Sequence, residues 1–313
     1  MTTGTPRVHA VSTTEIVRQR LQGRRLDVGG SVFEALLVLA LLISIGVLVT
    51  LLVDVFSNGL PVFFTRGTDF LTRGLSSSPD RAGVAQGILG SVLLMLFVIV
   101  LSFPLGVGAS IYLEEYARDT PLTRLVNTVI RNLAGVPAIV YGLLGVAVFV
   151  GTLGAITGGR TIISGGLTLA ILVLPIVIIT TSEALRAVPT SIREAAFGVG
   201  ATRWETVRSH VLPYAAPGIL TGTILSLARA FGETAPLILV GAIAGTFRYS
   251  ADSLIDQLRG PYTALPTIIF GFSRDPDAGF RADTAAAIIV LLVVLLAVNG
   301  LAIFLRNRFE RRW

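Results

Sequence analysis

Six long apolar runs constrain this chain more than any other feature of its sequence. Each run approaches or exceeds the ~20 residues that a helix needs to cross a bilayer. Hydrocarbon offers no hydrogen-bond partner to the backbone, so such a run must form a helix that satisfies its own amides and carbonyls. We therefore predict an all-α integral membrane protein with six transmembrane helices and both termini on one side. The runs cover roughly residues 32–56, 86–112, 124–150, 162–185, 215–241 and 284–305.

The basic residues predict the orientation of these helices. All 25 basic residues are arginines, because the chain contains no lysine. The segments on one side of the predicted helices hold sixteen of them and the segments on the other side hold eight, and such an excess marks the cytoplasmic side. We thus expect a cytoplasmic arm (1–31), a membrane domain (32–305) and a cytoplasmic tail (306–313). The remaining arginine, Arg229, lies inside the fifth run.

Missing residue types exclude several function classes. The chain has no cysteine, which excludes disulfides and cysteine-ligated metals, and its two histidines make a histidine-ligated metal centre improbable. Without lysine it cannot form the standard phosphate-binding loop of an ATPase, so a partner must bind and hydrolyse any ATP and its Mg²⁺, and we expect no cofactor in this chain. The net charge of +6 is spread over loop ends, which indicates membrane lipid headgroups rather than nucleic acid.

The cytoplasmic loop of residues 186–213 contains signals for two short helices. Its sequence, RAVPTSIREAAFGVGATRWETVRSHVLP, predicts one capping box from Ser191 to Glu194 and a second from Thr202 to Glu205. Gly198 and Gly200 are placed to end the first helix, and Pro213 to end the second. Ala195 and Ala196 would leave the backbone accessible to a partner protein. A helical projection of this kind fits a groove of another protein, and a solvated hairpin is the alternative interpretation.

The same loop resembles a known motif. The run Glu194, Ala195, Ala196, followed by Gly200 and by Leu212 with Pro213, is similar to the EAA motif of permeases in ATP-binding-cassette (ABC) importers. The resemblance implies that this loop is the coupling helix that docks on the ATPase subunit, with Trp204 beside it. His210 departs from the pattern, which usually has an aliphatic residue at that position.

Longer stretches narrow the resemblance. They are PLGVGASIYLEEYA (104–117), AGVPAIVYGLLG (134–145), TSEALRAVPTSIREAAFGVGATRW (181–204) and LARAFGETAPLILVGA (227–242). Together they resemble the PstA family of phosphate importer permeases over approximately residues 85–300. This implies a type I ABC importer permease fold in a prokaryotic cell membrane. It also implies three partners, namely a PstC-type permease, a dimeric PstB-type ATPase and an extracytoplasmic PstS-type phosphate-binding protein.

The segment SLARAFGETAPLI carries the charges Arg229 and Glu233 within an apolar run. A charge in mid-membrane costs from ~3 to above 10 kcal/mol, so it usually faces a partner or a polar cavity. A guanidinium is well suited to a phosphate oxyanion. Pro236 cannot donate to the carbonyl of Gly232, which predicts a locally open helix. We expect Arg229 near the middle of the fifth span.

Three interpretations of this pair are open: contact with the substrate, a permanent brace of the bundle, or a proton path. The family resemblance implies the first, with Arg229, Glu233 and Thr234 on the phosphate path. Two rival functions are also open. A sister importer would carry another oxyanion such as sulfate, molybdate or phosphonate, and an ion-coupled secondary transporter would work without an ATPase.

Overall fold

The computed structural model describes residues 28–243, 245 and 258–309, and all regular secondary structure in the described part is helical. Most of the predicted N-terminal arm and the last four residues of the tail lie outside the described residues. The helices in chain order are α1 (Val28–Arg66), α2 (Asp69–Thr72), α3 (Ala85–Ile111), α4 (Pro121–Ala134), α5 (Ala138–Gly145), α6 (Gly154–Thr157), α7 (Ile162–Arg186), α8 (Thr190–Gly198), α9 (Arg203–Thr206), α10 (Leu212–Gly232), α11 (Ala235–Val240), α12 (Leu265–Arg274) and α13 (Gly279–Phe309).

Three π-helical turns extend these helices without a break in direction. Tyr112–Tyr116 continues α3, Val146–Thr152 continues α5, and Val207–Val211 joins α9 to α10. In the described residues, five helices are long and apolar enough to cross a membrane, or up to six if α4 and α5 count as one bent span. The structure therefore agrees with the predicted helical membrane class.

The chain divides into two compact units at Asp54 and Val55. The described part of the first unit is the N-terminal portion of α1, where large apolar side chains are exposed on every side of the helix. A helix that is apolar all round requires a hydrocarbon environment, as expected of a membrane span.

The core of the second unit is the contact of α3 with α7. Ser102 and Ser110 of α3 donate hydrogen bonds of 2.8 Å to the carbonyls of Ala170 and Ile178. Gly106 lies so close to α7 that a Cβ atom there would approach the Val177 side chain to 2.7 Å. Small residues and hydroxyl hydrogen bonds are typical of helix contacts in membranes, where apolar burial between helices contributes little. This contact makes α7 the most buried of the candidate spans.

The predicted third span, 124–150, is wrong as a single helix. The chain bends by 100° between α4 and α5. Pro137 causes the bend, because it cannot continue a helix and forces Val136 toward an extended conformation. Helix α4 is amphipathic, with leucine and valine recurring along one of its faces. These residues make its sequence look like the start of an apolar run.

The loop between the fifth and sixth predicted spans contains a helix whose first turn is buried. The segment LPTIIFGFSR forms α12, and its residues Leu265 and Ile268 belong to the main core. The Tyr262 side chain just before it is also buried, and burial raises the pKa of its hydroxyl well above the ordinary value, so it is neutral at physiological pH. Residues 246–257 of the same loop lie outside the described residues.

Candidate functional site

The predicted substrate-path residues lie at a break between two helices. Helix α10 ends at Gly232, and α11 begins at Ala235 with Pro236 in its first turn. Glu233 has an extended backbone, with φ −74° and ψ 120°. Arg229 therefore lies in the last turn of α10, and its expected position in the middle of a continuous span 215–241 was wrong. The chain leaves the helix before the apolar run is finished, because Pro236 offers no amide to continue it.

The ion pair between Arg229 and Glu233 is loose. The Nε atom of Arg229 lies 3.6 Å from Oε1 of Glu233, beyond the usual 2.7–3.2 Å of an N–H···O hydrogen bond. The Arg229 side chain is 53% exposed and the Glu233 side chain 19% exposed. A cation in the last turn of a helix is also favoured by the partial negative charge of the helix C-terminus. Glu233 therefore does not occupy all the donors of the guanidinium, which stay open for an anion.

Close packing on α5 holds the helix break in place. A Cβ atom on Gly142 would lie 2.7 Å from the Cα atom of Pro236, so only glycine lets the two backbones approach this far. Pro236 itself is buried. Thr234 is half-buried, and its backbone carbonyl accepts a hydrogen bond from the Ile238 amide at 3.1 Å. Helix α11 ends at Gly241, which has a left-handed backbone with φ +109°. The break is thus a packed feature of the fold.

The second candidate site is the predicted coupling loop. Its capping box from Thr202 to Glu205 is confirmed: the Glu205 carboxylate accepts the Thr202 amide at 2.8 Å, and the Thr202 hydroxyl accepts the Glu205 amide at 3.3 Å. Gly200 has φ +85° and makes the turn between α8 and α9. Gly200 is therefore the glycine that needs the left-handed conformation, whereas Gly198 is the last residue of α8.

Three local predictions about this loop were wrong. Ser191 and Glu194 form no capping box, because α8 already begins at Thr190 behind Pro189 and Ser191 is inside the helix. Ala196 is buried and does not leave the backbone open to a partner. Pro213 does not end the second helix, since it lies in the first turn of α10, where a missing amide costs little.

The loop exposes an apolar surface beside a charged one. Phe197, Val199 and Trp204 are exposed, although large apolar side chains in a loop outside the membrane-spanning helices would normally be buried. Glu194, Ala195 and Gly200 are exposed as well. We call this set of six residues the coupling surface. Its composition, with apolar residues next to a carboxylate, is typical of a protein interface.

Sequence reasoning missed the charged contacts behind this surface. Glu114 and Glu115, in the π-helical turn that continues α3, form ion pairs with Arg186 at the end of α7 and Arg193 within α8. The sequence gives these four charges in two separate segments, and only the opposite signs could have suggested a pairing. Within residues 28–243, 245 and 258–309, no group of three or more histidine and carboxylate side chains could hold a metal ion.

Sequence comparisons place these features in a known context. The model of the family described as binding-protein-dependent transport system inner membrane component matches residues 102–313. The phosphate transport system permease protein PstA of Xylella fastidiosa is 34% identical over 256 residues, which cover 80% of this chain and 84% of that protein. The protein of the same name from Mycobacterium leprae is 35% identical over 240 residues and covers 75% of each chain. A probable ABC transporter permease protein of Bacillus subtilis, YqgI, is 32% identical over 237 residues, or 72% of this chain and 79% of that protein.

Solved structures show a similar arrangement of helices. A chain of a bacterial alginate ABC transporter superposes with a TM-score of 0.62 at 14% identity, covering 95% of this chain and 98% of that one. A chain of the MetNI methionine ABC transporter, in an inward-facing conformation, gives a TM-score of 0.52 at 18% identity and covers 73% of this chain and 95% of that one. At such identities the likeness concerns the fold alone.

Proposed function

This chain belongs to the family of binding-protein-dependent transport system inner membrane components, and from that premise we propose that it is a permease subunit of an ATP-driven phosphate importer. Its fold is that of the type I ABC importer permeases. Members of this family are multi-pass membrane proteins that work with a separate ATPase and a binding protein, and they are not enzymes themselves. The substrate, the specific partners and the roles of individual residues are the subject of the proposal.

The proposed substrate path rests on one observation: Arg229, which is exposed and loosely paired, lies at a helix break in an apolar segment. The Arg229 guanidinium is permanently charged and presents planar donors, which suit the oxygens of phosphate. A charge that lies in an apolar segment and is still 53% exposed must face a polar path or another subunit. We infer that Arg229, Glu233 and Thr234 line one wall of the path, while Gly232 and Pro236 open the helix there.

Glu233 acts in this proposal as an exchangeable partner of the arginine. At 3.6 Å from Arg229, the Glu233 carboxylate lowers the free-energy cost of keeping the guanidinium charged in an apolar segment when no anion is bound. Phosphate then replaces Glu233 by forming direct hydrogen bonds to the guanidinium. A single arginine leaves most of a phosphate dianion uncompensated. We therefore infer that a homologous PstC-type permease supplies the opposite wall, with membrane lipid around the pair.

The remaining partners follow from the same proposal. A dimeric PstB-type ATPase would bind ATP and Mg²⁺ and dock on the coupling surface, and a PstS-type binding protein would deliver phosphate from outside. The inner position of the EAA loop requires cytoplasmic N- and C-termini in a prokaryotic cell membrane, as the arginine distribution predicts. No cofactor is expected in this chain.

The test is phosphate uptake into vesicles that hold the assembled complex. Replacing Arg229 with Gln removes two or more charge-assisted hydrogen bonds, or roughly 3 kcal/mol, which corresponds to about a 100-fold loss of uptake. Arg229→Lys keeps the charge but loses the planar donors, so we expect an intermediate loss. Glu233→Gln should reduce uptake less than Arg229→Gln, because it leaves the guanidinium in place. Arg131→Gln, an exposed arginine on α4, serves as the matched control and should transport normally.

The outcomes separate the rival interpretations. If Arg229→Gln destroys assembly, the pair is a brace, and if assembly and uptake both survive, the path lies elsewhere. Uptake that competes better with sulfate or molybdate than with phosphate assigns the importer to another oxyanion. Uptake that follows the proton gradient without ATP, and is abolished in Glu233→Gln, indicates a secondary transporter with a proton path.

A further inference from the structure

The inner end of α3 is bound tightly to the start of the coupling loop. Two oxygens of the Glu115 carboxylate accept bonds from Arg193, at 2.7 Å from Nη2 and 3.3 Å from Nε. Arg193 also donates to the carbonyls of Val188 at 2.8 Å and Leu185 at 2.9 Å. The side chains of Glu115 and Arg193 are only 10% and 21% exposed. One arginine therefore joins α3, the end of α7 and the coupling helix α8.

A second ion pair lies beside the first. Arg186 donates from Nε and Nη2 to the two oxygens of Glu114, both at 2.8 Å. This geometry is bidentate, the arrangement in which a guanidinium and a carboxylate bind most strongly. Arg186 and Arg193 thus hold two consecutive carboxylates of the π-helical turn that ends α3. We call these four residues the inner clamp.

An apolar cluster lies beneath the inner clamp. Leu185, Val188 and Val211 are fully or almost fully buried there. Phe103, Val107 and Ile111 of α3 pack on this cluster, and so does Ile192 of the coupling helix. The contact between the coupling helix and α3 is therefore both ionic and apolar. Residues 115 and 193 are 78 positions apart, so the contact is made through space and not along the chain.

We propose that the coupling helix α8 and the inner end of α3 move as one rigid body, with the inner clamp as its link. This inference rests on the proposed coupling to an ATPase. A displacement of α8 then reaches α3 directly, in addition to α7 and α10, to which the loop is covalently joined. Because α3 is the main packing neighbour of α7, it carries the displacement into the membrane domain. Glu115 and Arg193 are positioning residues in this scheme, since they contact neither ATP nor phosphate.

Distances between spin labels test the rigid body in the assembled complex. The chain has no native cysteine, so labels at Tyr112→Cys and Ser191→Cys, both exposed, report the separation of α3 and α8 without further changes. A reference pair at Ser191→Cys and Ile156→Cys reports whether α8 moves relative to α6. On binding of ATP to a hydrolysis-deficient ATPase, we expect the reference distance to shift and the 112–191 distance to stay constant. A shift in the 112–191 distance, or no shift in the reference distance, overturns the proposal.

Neutralising the clamp provides a second readout. With Glu114→Gln and Glu115→Gln together, we expect the ATPase to remain bound and basal hydrolysis to continue, while stimulation by the loaded binding protein falls at least 10-fold and the 112–191 distance broadens. Exchanging the outer pair, Glu114→Arg with Arg186→Glu, keeps an ion pair of reversed polarity, so stimulation should stay close to that of the unsubstituted complex. The same exchange is unsuitable for Arg193, because a glutamate there would face the two carbonyls.

Matched controls separate this proposal from the proposed function. Asp119→Asn removes an exposed carboxylate that lies four residues after Glu115 in the sequence. Asp119 pairs with Arg124 at 3.7 Å, and its replacement should change neither the stimulation nor the 112–191 distance. Failure of the unsubstituted complex to hydrolyse ATP or to take up phosphate counts against the proposed function. Normal stimulation in the Glu114→Gln, Glu115→Gln variant counts against the clamp alone.

Discussion

Two ion pairs in this chain show how burial separates a structural role from a functional one. Arg66 contacts the carboxylate of Asp283, which is 2% exposed, and also donates to the carbonyls of Pro79 and Ala82. Arg229 makes a single loose contact with Glu233 and is 53% exposed. A cation that is mostly buried and bonded to several groups of the fold is not accessible to a ligand. The first pair therefore fixes the end of α1 to α13, whereas the second has donors free for an anion.

We predict that Arg66→Met destabilises the protein by about 3–5 kcal/mol, because it leaves the Asp283 carboxylate buried without a cation. Thermal unfolding in detergent measures the loss. Arg73→Met is the matched control: its partner Asp69 is four residues away and both side chains are half exposed, so we expect less than about 1 kcal/mol. The double variant Arg66→Met with Asp283→Leu should recover most of the stability. Equal losses for Arg66→Met and Arg73→Met would contradict this assignment.

At the scale of helices, the apolar runs predicted where most of the long helices lie. They did not predict where the chain changes direction. Five runs correspond to helices that could span a membrane, because a run of apolar residues in a bilayer has few alternatives to a helix. Apolarity alone gives no direction, so the 100° bend at Pro137 was missed. Pro236 predicted a locally open helix at Gly232. The packing of α11 on Gly142 could not be predicted, because Gly142 lies in a distant segment of the chain.

The ion pairs Glu114–Arg186 and Glu115–Arg193 could not be predicted from the sequence either. Many arginines lie near the ends of the helices, and a single sequence does not indicate which of them meets which carboxylate. Only the folded arrangement of α3, α7 and α8 selects the partners. The EAA motif, in contrast, was identified from its resemblance to a known pattern, and the turn at Gly200 and the capping box from Thr202 to Glu205 could be predicted because both are local signals.

We predict that α4 lies in the plane of the inner membrane surface. Leu122, Leu125 and Val129 are exposed along one face, while Arg124 and Arg131 lie on the opposite face, the pattern of an interfacial amphipathic helix. In a background with Trp204→Phe and Trp313→Phe, a tryptophan introduced by Leu125→Trp should be quenched strongly by brominated lipid. Thr128→Trp, on the polar side, is the control and should be quenched at least several-fold less. Equal quenching at both positions would place α4 elsewhere.

At the scale of the whole molecule, this subunit is built to be completed by others. In the proposed importer, the exposed guanidinium of Arg229 faces a wall supplied by a second permease, and the coupling surface, which exposes Phe197, Val199 and Trp204, faces the ATPase. Both features would be costly in an isolated protein and become favourable only in an assembly. The inner clamp then relates the two, because it connects the surface on which we propose that the ATPase docks to α3, the main packing neighbour of α7.

The coupling surface gives the last prediction. Exposed aromatic residues near the centre of an interface commonly contribute 2 kcal/mol or more to binding, so Phe197→Asp or Trp204→Asp should weaken ATPase binding by about 30-fold or more. The measurement is the affinity of the purified ATPase for the permease pair in lipid nanodiscs. Ser209→Asp adds the same charge at an exposed position of the π-helical turn Val207–Val211 and should leave the affinity within about 3-fold, as surface changes usually do. If Ser209→Asp weakens binding as much as Trp204→Asp, charge rather than loss of apolar contact explains the effect. If Phe197→Asp, Trp204→Asp and Ser209→Asp all leave the affinity unchanged, the ATPase docks elsewhere and the exposed aromatic residues serve another partner.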